Sequence, residues 1–118
     1  MNMTEQNQHL DRQVQEIYAV LAPYQTAHAS AQIDVRRRHE VAIHIRVIDP
    51  DFRGVRRVER EDRFWPLLHQ LPYETLADIS ILLLLTPEEA TRSMANMEFE
   101  NPVSWPLEED SLLVAADD

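Results

Sequence analysis

The chain has 118 residues, enough for one domain with a hydrophobic core of its own. It contains no Cys, which excludes disulfides, Cys-ligated zinc, clusters held by this chain's thiolates and thiol catalysis. Its net charge of −10 opposes general nucleic-acid binding, because phosphate repulsion resists encounter.

The charge is unevenly placed: residues 36–63 carry +3, and residues 88–118 carry −8. All eleven basic residues are Arg. Genome composition accounts for that, or else Arg forks serve to bind carboxylate or phosphate. The first 25 residues lack a basic stretch followed by an apolar one, so no signal peptide is expected. The longest apolar run, residues 81–85, is too short to span a bilayer. The expected location is cytoplasmic, without membrane contact.

Residues 1–9 are polar and read as a flexible N-terminus. Leu10, Val14, Ile17, Tyr18 and Leu21 recur at helical spacing, and Pro23 is expected to end that helix. Residues 29–35 alternate, with Ala29, Ala31, Ile33 and Val35 on one face. Residues 41–47 do the same, with Val41, Ile43, Ile45 and Val47 inward and Ala42, His44 and Arg46 outward. Residues 37–40 make a polar turn, so an antiparallel hairpin is predicted. Asp49-Pro50-Asp51 stops the second strand. Gly54, the only Gly, sits where the chain passes from strand to helix and implies a positive φ or a close backbone approach.

Val55, Val58, Phe64, Trp65 and Leu68 mark one face of a helical segment, with Arg56, Arg57, Arg60 and Glu61 outside. Pro66 lacks an amide donor, so a break is expected after about Phe64. Pro72 and Thr75 mark another. Residues 79–85 are apolar except Ser80 and read as a strand buried on both faces. Thr86-Pro87-Glu88-Glu89 is a capping box opening a helix over residues 87–97, in which Met94 and Met97 pack. Residues 101–118 read as an acidic, irregular, solubilising tail; the alternative is that Leu112, Leu113 and Val114 dock on a partner or back onto the domain.

Phe52-Arg53-Gly54, then Arg57-Val58-Glu59-Arg60, Trp65, Leu67-Leu68, the apolar strand and Thr86-Pro87-Glu88-Glu89 give this chain a pattern that resembles the BolA family over roughly residues 10–92. The resemblance implies an α+β fold: a three-stranded mixed sheet with helices on one side, in the αββααβ order of class II KH domains, plus a C-terminal helix. Residues 10–100 are read as one such domain. The resemblance also implies a cluster-ligand His within an Arg-His-Arg segment and a second His near the start of the second strand. Glu61 stands at the first position and Ala42 at the second. Glu61 is a hard oxygen donor and a poor substitute in an iron–sulfur centre bridged to a monothiol glutaredoxin. No cofactor is therefore expected. The Gly-x-x-Gly loop by which class II KH domains hold nucleic acid is excluded by the single Gly.

The remaining candidates carry little chemistry. His39 and His44 are five residues apart and replace the missing ligand only if they share a face. Glu59, Glu61 and Asp62 interleave with Arg56, Arg57, Arg60 and Arg63, and the spacing of Arg57–Glu61 and Glu59–Arg63 favours a solvated ion-pair network. Asp49 and Asp51 fit a hard cation or a carboxylate pair, and equally the local hydrogen bonds of a turn. Ser80 and Ser93 have no identifiable partner, and Tyr73 and Trp65 are expected to pack. No Gly-rich phosphate loop or nucleophile elbow is present, so no enzyme is expected. The expected function is an interaction adaptor with a protein partner. Its surface comprises Arg53, Arg56, Arg57, Arg60, Glu61, Arg63 and Trp65. A nucleic-acid-binding transcriptional regulator on the same surface, or an iron–sulfur trafficking partner, are the alternatives. Exposed sheet edges leave homodimerisation open.

Overall fold

Ile43, Ile45 and Val47 alternate with His44 and Arg46, and this parity organises the molecule. In the computed structural model, which describes residues 3–101, the three apolar side chains are fully buried at the centre of the core. They lie on β2 (Ala42–Ile48), the middle strand of a three-stranded sheet. β1 (Gln32–His39) pairs with it antiparallel, Val35 opposite Ile45. β3 (Ile79–Leu85) pairs with it parallel, Leu84 opposite Val47. The fold is thus α+β with a mixed sheet. The expected acidic tail beyond Asn101, with Leu112, Leu113 and Val114, lies outside the described residues.

Three helices cover the apolar face. α1 (Met3–Ala27) contributes Ile17, Leu21 and Tyr24, and α2 (Arg57–Leu68) contributes Phe64 and Leu68. α3 (Tyr73–Asp78) is tied to α1 by Thr75, which donates to Glu16 at 2.7 Å. The opposite face is polar on β1 and β2. There α5 (Met94–Glu100) lays Phe99 over Arg36 and Arg46, with guanidinium carbons 4.6 and 4.5 Å from the ring centroid. Arg46, expected outside, is fully buried beneath it. Asp34, Asn96 and Glu100 accept its hydrogen bonds. Among the described residues, no helix is long and apolar enough to cross a membrane.

Several local expectations are corrected. α1 passes through Pro23 for another turn, because burying Tyr24 against Phe64 outweighs one missing amide. β1 begins at Gln32 and runs on to His39, with a bulge near its end. The turn is therefore only Glu40-Val41, and Val41 points to solvent instead of inward. α2 is continuous through Pro66, which sits exposed in its last turn. The carbonyl that Pro66 leaves without a donor is on solvated Asp62, and buried Phe64 and Leu68 pin the helix on either side. Val58 on that helix is exposed.

β3 is not buried on both faces. It is an edge strand, and Ser80 and Ile81 near its start, where the register with β2 shifts, are exposed. The predicted helix over 87–97 is two helices. α4 (Pro87–Ala90) stops, and Ser93 caps α5 by accepting from the Asn96 amide at 3.0 Å. Asn96 also donates to the Ala90 carbonyl, satisfying the end of α4. The corner carries α5 across the sheet, which leaves Met94 and Met97 exposed rather than packed. Tyr73, expected to pack, is also exposed at the start of α3.

Gly54 follows a 3-10 turn, Pro50–Phe52, and has φ +76°. A Cβ placed there meets nothing within 4 Å, so the demand is on the backbone alone. Gly54→Ala is expected to cost about 1 kcal/mol and Gly54→Val more, since left-handed backbone penalises a β-branched side chain. Thermal denaturation checks this; the expected drop for Gly54→Val is at least about 5 °C.

Candidate functional site

A cleft of about 450 Å³ opens where α2, the end of β3 and the α4 corner meet. Its walls carry Arg56, Arg57, Arg60 and Arg92, with Leu84, Leu85 and Val55 below. Four of the chain's eleven Arg thus converge on one concavity of an acidic protein.

Arg60 builds the cleft and does not read from it. Expected on the outer face, it is buried. Its Nε donates to the Val55 carbonyl at 2.8 Å, and Nη1 donates to the Leu84 carbonyl at 3.0 Å. Nη1 and Nη2 also reach the two Glu89 carboxylate oxygens, at 2.6 and 3.2 Å. Glu89 simultaneously closes the capping box, accepting from the Thr86 amide at 2.8 Å, while Thr86 Oγ1 accepts from the Glu89 amide at 3.1 Å. Arg60, foremost, and then the Thr86 amide hold the Glu89 carboxyl down at about 2. One guanidinium therefore locks the start of α2, the end of β3 and the start of α4 together.

The other predicted residues separate by their partners. Arg53 makes a two-pronged pair with Glu88, at 2.9 and 2.6 Å, on open surface. Arg56 pairs with Glu59 at 2.8 Å. The i,i+4 pairs Arg57–Glu61 and Glu59–Arg63 do not form among the described residues; Glu59 turns back toward Arg56 instead of Arg63. Arg63 lies over Phe52, 5.8 Å from its centroid, and beside the Tyr24 hydroxyl. Trp65 packs against the core and His69, away from the cleft. Glu61 is half-buried outside the cleft, and Ala42, at the other family position, is buried.

Of the four Arg lining the cleft, Arg57 and Arg92 are exposed and have no carboxylate partner among the described residues. Arg92 escaped sequence reasoning. It lies 35 residues from Arg57 and follows a capping box whose evident role is to start a helix. Only the turn between α4 and α5 brings it to the cleft. Both line the same cleft, whose wall also carries Leu84 and Leu85.

Among the described residues, His39 and His44 belong to no three-ligand group. His44 Nδ1 accepts from Arg38 Nε at 3.1 Å, and burial, then the Arg38 charge, depress its protonation. Asp49 and Asp51 instead meet His28, which no motif or spacing in the sequence marks. Compared with protein-family models, curated proteins and solved structures, the chain matches none.

Proposed function

We propose that this chain is a non-enzymatic, BolA-like interaction adaptor that engages an acidic segment of a protein partner through the Arg57–Arg92 cleft. The observation that carries this reading is the pair of guanidiniums without carboxylate partners, set above Leu84 and Leu85 in an otherwise acidic molecule. The helix–hairpin–helix–helix–strand order and the parallel third strand are what the BolA resemblance implies, and they support it. A carboxylate-bearing peptide gains two Arg contacts there. A long nucleic acid meets the same contacts but also the repulsion of the remaining negative charge.

Arg57→Glu combined with Arg92→Glu is the test, since both side chains are exposed and neither joins the core. Capture from the protein's own lysate, after nuclease, is expected to retain protein partners with the wild type and lose them with the double variant. The melting temperature stays unchanged. Retention by the double variant refutes the site. Loss of the captured material on nuclease treatment, with steep salt dependence, selects the nucleic-acid regulator instead.

A further inference from the structure

We propose that His28, Asp49 and Asp51 form a binding site for a divalent transition-metal ion, with Zn²⁺ the ion that best suits the donors. The three come from different elements. His28 follows α1, Asp49 follows β2, and Asp51 lies in the 3-10 turn. His28 Nδ1 is 2.7 Å from Asp51 Oδ2 and 3.5 Å from Asp49 Oδ2, and one ligand atom from each side chain falls within a 4.8 Å group. Two donors held at ~2.1 Å by one ion stand roughly 3.0–3.4 Å apart for angles between octahedral and tetrahedral. The two spacings from His28 straddle that range, so its ring and each carboxylate need shift by only tenths of an ångström to share an ion.

The charge balance points the same way. A proton on Nδ1 can be donated to one carboxylate, and Asp51 is the nearer. Asp49 is fully buried, and its ion-pair partner among the described residues is His28 alone. A buried carboxylate with no directly paired permanent cation is costly, and Arg63 stands beside the Tyr24 hydroxyl rather than against Asp49 itself. A dication bound by neutral imidazole neutralises both carboxylates at once, where a proton neutralises one charge.

The surroundings are already those of ligands held in place. Tyr24 donates its hydroxyl to Asp49 Oδ2 at 2.6 Å, and the Asp51 amide donates to Asp49 Oδ1 at 2.9 Å. The Tyr24 ring stacks on the His28 imidazole, with centroids 4.0 Å apart and planes 10° from parallel. Such outer contacts fix ligand orientation and are worth roughly 10–100-fold in metal affinity. Side-chain exposure rises from 0% at Asp49 through 25% at His28 to 62% at Asp51. The site therefore has a buried floor and an open side, where water completes the coordination. Imidazole among the donors disfavours Ca²⁺ and Mg²⁺, and the absence of thiolates disfavours softer ions.

The experiment is a Zn²⁺ titration of the full, untagged chain by calorimetry, paired with thermal denaturation. One equivalent is expected to bind and raise the melting temperature, and excess Mg²⁺ should not compete. Asp51→Asn and His28→Gln are each expected to weaken binding about tenfold or more. His44→Gln should change nothing. Asp51 is exposed, so Asp51→Asn keeps the test valid should His28→Gln fold poorly. In the wild type, Zn²⁺ is expected to shift the His28 ring signals selectively in NMR spectra. No binding, or binding undiminished in Asp51→Asn, overturns the proposal. The cleft variants of Arg57 and Arg92 leave this site untouched, so the two proposals fail independently.

Discussion

Arg60→Ala is expected to destabilise the protein by on the order of 3 kcal/mol, more than any other single Arg substitution on α2. The size comes less from the ion pair than from what its loss uncovers. Glu89 is 40% exposed, so solvent screens its attraction to Arg60. The Val55 and Leu84 carbonyls are different. They accept from Arg60 beside the core, and Ala supplies no donor to replace it. Chemical denaturation measures the effect, and a change below about 1 kcal/mol contradicts it.

The pH dependence of that contribution has a definite sign. The folded Glu89 carboxyl lies at about 2, below its ordinary 4.5. Its contribution is thus fully present above pH 4.5 and is lost as pH falls through about 2. Glu89→Gln keeps a side chain able to close the capping box while removing the charge. It is expected to flatten this acid limb without abolishing it, because Arg53 and Arg46 hold Glu88 and Glu100 below their usual range as well. Unfolding curves of wild type and Glu89→Gln between pH 5 and pH 2 should converge toward the acid end. Parallel curves refute the assignment.

The second large effect is expected from Arg46→Ala, at roughly 2–4 kcal/mol. Arg46 is the post on which α5 stands. It accepts the Phe99 ring on its guanidinium face and donates to Asp34, Asn96 and Glu100. Removing it opens a void beneath Phe99 and strips the buried Asn96 Oδ1 of its donor. The loss should be local first: α5 detaches while β2 keeps its core face through Ile43, Ile45 and Val47. Hydrogen exchange tests this order. Amides of residues 96–101 are expected to lose protection well before those of β2, and simultaneous loss contradicts it.

The sheet was legible because Ile43, Ile45 and Val47 alternate with polar neighbours, and a period of two has one structural meaning. Gly54 and the Thr86–Glu89 capping box were legible because the residues that demand the conformation also satisfy it, within a few positions. Arg60 was not. Its partners Val55, Leu84 and Glu89 meet only after the sheet closes, and a polar residue buried by distant carbonyls leaves no periodic trace. The same holds for Arg46 under Phe99 and for His28 beside Asp49, where 21 residues of sequence separate the ring from the carboxylate. Pro23 and Pro66 misled in a related way. Each is a local breaker overruled by buried neighbours, Tyr24 in one helix and Phe64 and Leu68 in the other. Of the cleft, Arg56, Arg57 and Arg60 could be placed on one helix from sequence. Arg92 could not.

The two strand pairings also differ in when they can be made. β1 meets β2 across a two-residue turn, whereas β3 reaches β2 only after the whole excursion through α2 and α3. Closing a longer loop costs more chain entropy, so the hairpin assembles early and the parallel strand docks late. In that interval one edge of β2 has no partner, and Ile79–Leu85 carries no charge or proline to deter a foreign strand. Refolding yield should accordingly fall as protein concentration rises, with intermolecular pairing through this segment as the competing route.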